Sequence, residues 1–219
     1  MPDDTELERL PLRERKKRLT RQRLADVATA LFVSRGFDNV TVNEIADAAD
    51  VSKVTVFKYF PRKEDLFFDR GPQMHDLLRR TIRDRPAGET PTAALHRLTR
   101  SMLIERHPLS GLGDFRRFFQ TVVDSPALRD RARELAAELQ DELTDLHAEA
   151  DSRPVDDDIR LRAAMIHGVL QTVYLAATRR VLAGERADDI ADDILALADR
   201  GFATLDAAFD GGLPSPATG

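Results

Sequence analysis

The stretch VSKVTVFKYF, from Val51 to Phe60, interleaves long ammonium donors and hydroxyls with apolar and aromatic side chains. Wound as a helix at about 100° per residue, it places Ser52, Val56 and Phe60 on one face. Val54, Thr55, Phe57 and Lys58 take the opposite face, with Lys53 and Tyr59 at its flanks. Val56 and Phe60 can pack on the preceding helices, which leaves Val54 and Phe57 outward beside lysines, where core packing does not explain them. A surface of that kind offers an apolar contact for a thymine methyl, a long donor for base edges and hydroxyls for phosphates. Those are the requirements of a helix lying in a DNA major groove.

The elements that would position this face can be read upstream. Thr20 is a plausible N-cap for a helix through RQRLADVATALFVSRG, with an apolar stripe of Leu24, Val27, Ala28, Leu31 and Phe32 and an end at Gly36. TVNE, from Thr41 to Glu44, has the spacing of a capping box and opens a short helix to about Asp50. Val51 and Ser52 then form a tight turn, with Ser52 as the next cap. Two short helices joined by such a turn predict helix-turn-helix geometry. Pro61 marks a break, and RKEDLFF opens a longer helix to about Arg83. Five more helices are expected at about 92–106, 113–124, 127–150, 157–183 and 187–209. The fold class is therefore all-α with about nine helices.

Composition agrees and narrows the chemistry. The chain has 219 residues, 42% of them apolar and 32% charged, which is the balance of a globular protein. It has no cysteine, so disulfides, thiolate metal sites and thiol catalysis are excluded. The opening MPDDTELERL lacks the apolar core of a signal peptide, and no stretch approaches the length of a membrane span, so a cytoplasmic location is expected. Charge is uneven: Met1 to Arg70 carries 14 Lys+Arg against 13 Asp+Glu, and the remainder 19 against 25. All five lysines (Lys16, Lys17, Lys53, Lys58 and Lys63) precede residue 64. Arg9 to Arg23 holds eight basic residues and one acidic, either a footprint for phosphate or a solvated arm.

With these residues in view, ALFVSRGFDNVTVNEIADAADVSKVTVFKYFPRKEDLF resembles the N-terminal DNA-binding domain of the TetR family of bacterial one-component regulators. The spacings G-(x)4-T-(x)3-I-A and V-S-(x)2-T-(x)3-Y-F-(x)2-K are intact across roughly Thr20 to Phe68. The resemblance implies a homodimer that sets one recognition helix per subunit into successive major grooves of a palindromic double-stranded operator. It also implies a larger helical domain that binds a small-molecule effector and dimerises through its last two helices. Carried onto this sequence, Thr41 falls at a phosphate-contacting position; Lys53, Val54 and Lys58 fall at base-reading ones; Thr55, Tyr59 and Lys63 fall at phosphate-contacting ones. Ser52 opens the same helix. Position 57 is usually tyrosine in the family, and Phe57 lacks the phosphate-binding hydroxyl.

The expected organisation is a basic arm over 1–19, the helix-turn-helix domain over 20–66, an effector and dimerisation domain over 67–210, and a Gly/Pro-rich disordered tail over 211–219. Candidate effector contacts are the aromatic cluster Phe115, Phe118 and Phe119 and the polar stripe His167, Gln171, Tyr174 and, one turn on, Thr178. The cluster is either core or the lining of an apolar pocket. The stripe is an outward polar face, a pocket lining or a set of cross-subunit hydrogen bonds. In the last helix Ile190, Ile194, Leu197, Ala198, Phe202 and Leu205 recur at heptad-like spacing and would form a four-helix interface in a dimer. The five histidines have no metal-ligand spacing, no glycine-rich phosphate loop occurs, and no nucleophile–base pair is evident, so neither cofactor, metal nor enzymatic activity is expected. The function expected is a ligand-responsive repressor released from DNA by an apolar effector. The alternatives are a helical acyl-binding protein or enzyme with an appended DNA-binding domain, and an activator without a small ligand.

Overall fold

A computed structural model describes residues 11–113 and 115–210, and the expected tail lies outside them. Among the described residues all regular structure is helical, and two compact units form. The first holds the chain up to Asp69 together with Thr121–Arg131; the second holds Arg70–Gln120 and the chain from Ala132 onward.

The first unit contains α1 (Leu12–Arg35), α2 (Val42–Ala48), α3 (Lys53–Tyr59) and α4 (Lys63–Phe67). Helix α1 starts at Leu12, eight residues before the expected cap, and Thr20 lies inside it. The reason is local: Arg, Lys, Glu and Leu from Leu12 to Leu19 are good helix formers, no breaker stands among them, and Pro11 supplies a natural first turn. The part of the basic arm that is described, from Leu12, is thus helix. Gly36, at φ 82, ends α1 as expected. The core gathers Leu24, Ala28, Phe32, Ile45, Val56, Phe60, Leu66 and Phe67, each with at most 1% of its surface exposed. Phe32, Phe37 and Phe67 pack as tilted and edge-on rings with centroids 4.8–6.4 Å apart. Burying Val56 and Phe60 stabilises the unit by about 1.5–3 kcal/mol for each side chain.

The longer helix expected to Arg83 is divided into α4 and α5 (Gly71–Arg83), which brings the described helices to ten. Pro72, in the first turn of α5, has no N–H to give the carbonyl of Phe68, so the ladder cannot run through. The second unit continues with α6 (Pro91–Ile104), α7 (Arg116–Asp124), α8 (Pro126–Ala150), α9 (Asp157–Leu182) and α10 (Ala187–Asp210). The end of α7 and the beginning of α8 belong to the first unit.

Helix α10 packs on α6 and α9 of its own chain. Ile190, Ile194, Ala198, Phe202 and Leu205 of its heptad-like stripe are at most 2% exposed, and only Leu197 is half-buried. That stripe is therefore spent on intrachain packing rather than kept for a partner. The α9–α10 approach is close enough that a Cβ on Gly201 would sit 2.7 Å from Val169 Cγ1. Among the described residues no helix is long and apolar enough to cross a membrane, and no three potential ligand side chains gather as for a metal.

Candidate nucleic-acid interface and effector region

Helix α3 is held at both ends. At its start, Ser52 Oγ accepts the Thr55 N–H at 3.1 Å and lies 2.9 Å from Thr55 Oγ1. The turn before it places Asp50 at φ 51, and the Val51 N–H returns to the Ala46 carbonyl at 3.0 Å, closing α2 with a left-handed cap. At its end, the Arg21 guanidinium of α1 donates to the Tyr59 carbonyl at 2.7 Å and lies 4.0 Å from the centre of the Phe60 ring. Partial burial lowers the Arg21 pKa, a sign that the cation has left bulk water to reach this carbonyl. Arg23 likewise donates to the Ala49 carbonyl at the end of α2. Cations at helix C-termini complement the macrodipole, so α1 fixes both helices of the pair through their last carbonyls.

With Val56 and Phe60 turned inward, Val54 is 79% and Phe57 42% exposed. Lys53 and Lys58 are exposed beside them and have no ion-pair partner among the described residues. Thr55 and Tyr59 are half-buried at the edges of this face. The structure thus brings Ser52, Lys53, Val54, Thr55, Phe57, Lys58 and Tyr59 together at one short helix.

Thr41 and Lys63 are placed differently. Thr41 caps α2 in the expected box: its Oγ1 accepts the Glu44 N–H at 3.2 Å, and Glu44 Oε2 takes the Thr41 N–H at 2.8 Å and its hydroxyl at 2.8 Å. These bonds and Arg35, at 2.6 Å, hold the Glu44 carboxylate down to a pKa of about 2, the Thr41 backbone bond contributing most. The Thr41 hydroxyl is therefore already engaged. Lys63 turns its ammonium inward to the Phe37 carbonyl at 2.6 Å, above the Phe37 ring at 4.1 Å, and desolvation lowers its pKa. Its first role is to tie α4 to the α1–α2 turn.

In the second unit, Phe119 is buried, Phe115 and Phe118 are half-buried, and all three pack against the core shared by α9 and α10. Tyr174 joins them edge-on to Phe119, with centroids 6.2 Å apart at 87°. Its ring also lies over Gly111, where φ is 78 and a Cβ would meet Tyr174 Cδ2 at 3.1 Å, so glycine is needed both for conformation and for space. The stripe on α9 does not act as a unit: His167 is 9% exposed with its pKa lowered by burial, Gln171 faces solvent, and Thr178 donates to the Tyr174 carbonyl at 2.9 Å. The structure thus unites the three phenylalanines with Tyr174 and leaves His167 and Gln171 apart from one another in exposure.

A separate open cleft of about 460 Å³ lies between α5 and α8, lined by Pro72, His75, Asp76, Arg79 and the carboxylates Glu138, Asp141, Glu142 and Asp145. Arg79 is paired to Glu142 at 2.5 Å and to Asp76 at 3.2 Å. The signal in the sequence was the i, i+3, i+4, i+7 carboxylate spacing on α8.

Residues 24–69 match the family model described as bacterial regulatory proteins, tetR family. The chain is 30% identical over 155 residues to the HTH-type transcriptional regulator TcmR of Streptomyces glaucescens, an alignment covering 69% of each protein. The chain belongs to the TetR family. It is also 33% identical over 98 residues to the transcriptional repressor KstR of Mycobacterium tuberculosis, covering 42% of this chain and 44% of that protein. Among solved structures it is similar to Thermus thermophilus FadR, a TetR-family repressor in complex with lauroyl-CoA, with a TM-score of 0.52, 26% identity, and coverage of 91% of this chain and 99% of that one. As a TetR-family member the chain is a DNA-binding transcriptional regulator, and α2–α3 is its helix-turn-helix.

Four further side chains of the TetR-family DNA-binding unit were not legible as functional. Arg21 and Arg23 read only as part of a basic run. Ser125 caps α8 and donates to Asp38 at 3.0 Å, and Arg131 pairs with Asp65 at 3.0 Å. All four groups lie in the first unit, so the 121–131 segment is built into it by specific polar contacts.

Proposed function

We propose that this chain is a homodimeric repressor that reads a palindromic operator with the outward face of α3 and releases it when a small apolar effector binds the second unit. The observation that carries the reading is the α3 surface itself. Val54 and Phe57 stand in water next to two lysines that have no ion-pair partner among the described residues, an arrangement with no value to an isolated fold but complementary to a major groove. Lys53, Val54 and Lys58 are assigned to base edges; Ser52, Thr55, Tyr59 and Lys63 to phosphates, with Thr41 ordering the helix before them. Phe57, without a hydroxyl, is assigned to a thymine methyl or sugar.

The second unit, Arg70–Gln120 with the chain from Ala132 onward, rather than the whole of 67–210, is assigned to effector binding and dimerisation. Leu161, Gly168 and Leu175 recur every seven residues on α9, with both leucines more than 40% exposed and nothing within 4 Å of the space a Gly168 Cβ would fill. A glycine inside a helix costs about 1 kcal/mol relative to alanine, and close approach of a second helix is a compensating use for it. The dimer contact is therefore centred on α9. The effector contacts are assigned to the ring cluster of Phe115, Phe118, Phe119 and Tyr174, with His167 and Gln171 on the same helix as Tyr174. The apolar rings of this cluster match the chemistry of an acyl chain, and the lauroyl-CoA held by the FadR relative supports that class. Because α7 ends and α8 begins inside the DNA-binding unit, a change in either helix is transmitted along the chain to residues 121–131. To shift the operator from nearly full to nearly empty, the effector must prefer the released state by about 5.5 kcal/mol.

The test is selection of bound duplexes from a random pool by the wild-type protein, followed by sedimentation of the complex and titration with lauroyl-CoA. Enrichment of an inverted repeat, two protomers per duplex and release by the acyl-CoA are expected. No enrichment over random sequence would overturn the operator reading.

A further inference from the structure

Around α3 the exposed side chains follow a definite order. Lys53, Phe57, Val54 and Lys58 stand at about 0°, 40°, 100° and 140° around the helix axis. The two apolar side chains therefore occupy the middle of the exposed arc, and a lysine stands at each edge. Val56 and Phe60 fill the buried side. The Ser52 cap at one end and the Arg21 bond to the Tyr59 carbonyl at the other hold this order in place before any partner arrives. Along the axis Val54 and Phe57 are about 4.5 Å apart, little more than the rise of about 3.4 Å for one base-pair step.

Laid in a major groove with this face inward, α3 presents hydrocarbon first and charge second. The groove edges of adenine and guanine and the amino group of cytosine offer donors and acceptors there. Covering them with valine or phenylalanine strips their water without replacing its hydrogen bonds. The apolar group that the groove does offer is a methyl on pyrimidine C5, which thymine carries. Position 57 lacks the hydroxyl of the family's usual tyrosine, so the ridge formed with Val54 is apolar throughout. The lysines at its edges have stems long enough to pass the ridge and reach base acceptors or phosphates on either side.

From this geometry we infer that Val54 and Phe57 read the C5-methyl groups of two neighbouring pyrimidines in each half-site, and respond to the methyl rather than to the base that bears it. A 5-methylcytosine then serves in place of thymine, because its methyl stands on the same ring carbon. Methylation of cytosine within the operator therefore adjusts the affinity of the protein. The inference rests on the reading of α3 as the recognition helix and takes the methyl, not the sugar, as the partner of Phe57.

The experiment uses the full chain and the palindrome enriched from the random pool. Each thymine of the half-site is replaced in turn, in both halves at once, by deoxyuridine, which lacks only the methyl. A second series places cytosine and then 5-methylcytosine, paired with guanine, at the same positions. Each methyl removed should weaken wild-type binding by up to about fourfold, as for one buried methylene, and one position in both halves by up to about 15-fold. The loss should fall at two neighbouring positions, where 5-methylcytosine should regain the same factor over cytosine. Val54→Ala should abolish the response at one of these positions and Phe57→Ala at the other. Both residues are exposed, Val54 to 79%, and circular dichroism verifies that the variants fold as the wild type does. Wild-type binding that is indifferent to deoxyuridine at every thymine would overturn the inference. Equal losses in the wild type and both variants would overturn it too, because the methyl would then act through the shape of the duplex. A wild-type protein that does not distinguish the palindrome from random duplex would instead overturn the α3 reading on which the inference rests.

Discussion

Replacing Arg21 with methionine should loosen the recognition helix without touching its outward face. Methionine keeps most of the aliphatic stem and removes the cation. Two close interactions go with it, together with a longer hydrogen bond to the Asp69 carbonyl at 3.5 Å. The hydrogen bond from the guanidinium to the Tyr59 carbonyl, at 2.7 Å and partly buried, belongs to the class of charge-assisted bonds that contribute about 1.5–3 kcal/mol. The stacking over Phe60 at 4.0 Å contributes about 0.5–2 kcal/mol. The two share one group and do not add fully, so a loss of about 2–4 kcal/mol is expected in the stability of the first unit. The chain offers a clean optical assay, because it has no tryptophan and its two tyrosines, Tyr59 and Tyr174, fall one in each unit. In a Tyr174→Phe background, urea unfolding followed by Tyr59 fluorescence reports on α3 alone. Arg21→Met should move that transition to lower urea by the stated energy, and Arg21→Lys should fall between, because it retains the charge but not the planar fork. A change below about 0.5 kcal/mol would refute the view that α1 holds α3 in place through its terminal carbonyl.

Three other perturbations have defined outcomes. The Glu44 carboxylate has its pKa depressed to about 2, so its contribution is complete above the ordinary glutamate range near 4.5 and is lost as pH falls through about 2. The difference in melting temperature between wild type and Glu44→Gln should accordingly be constant at neutral pH and close as the solution is acidified across that window. His147 is 1% exposed, with Nδ1 2.7 Å from the Leu143 carbonyl, no partner at Nε2 among the described residues, and its pKa lowered chiefly by desolvation. The unfolded chain therefore takes up a proton below about pH 6.5 that the folded chain resists, so stability should fall as pH drops from there, and His147→Met should flatten that dependence in pH-dependent unfolding. Gly168→Ala should weaken the dimer in sedimentation without lowering the melting temperature at low protein concentration, since a Cβ there meets nothing within 4 Å in the protomer.

The features readable from sequence were those set by neighbours along the chain. The Thr41–Glu44 box is a four-residue signal and forms as spelled. The inward turn of Val56 and Phe60, and hence the exposure of Val54 and Phe57, follows from helical period alone. What escaped depends on partners far off in the chain. Arg21 and Arg23 find carbonyls 38 and 26 residues away, and a basic run does not tell which of its charges will turn inward. Thr20 looked like a cap because threonine favours that place, but a run of lysine and arginine side chains sustains the helix past it. On α10 the heptad-like spacing was real, yet spacing names a stripe and not its partner, and α6 and α9 of the same chain cover it. The clustering of Phe115, Phe118 and Phe119 was legible, whereas the addition of Tyr174 required knowing that α7 lies on α9.

The most direct test of the central claim, that the outward face of α3 reads sequence, is the ratio of affinities for the selected palindrome and a random duplex in Lys58→Ala. Lys58 is exposed in the last turn of α3 and has no ion-pair partner among the described residues, so its removal leaves the fold intact. A base-edge contact discriminates by about 1–3 kcal/mol, so palindrome binding should weaken about 5- to 150-fold for each site. Random-duplex binding, measured at the same salt, should change by no more than about 3-fold, as expected for the loss of one diffuse charge. Equal losses on the two duplexes would contradict the claim and leave α3 as a phosphate contact only.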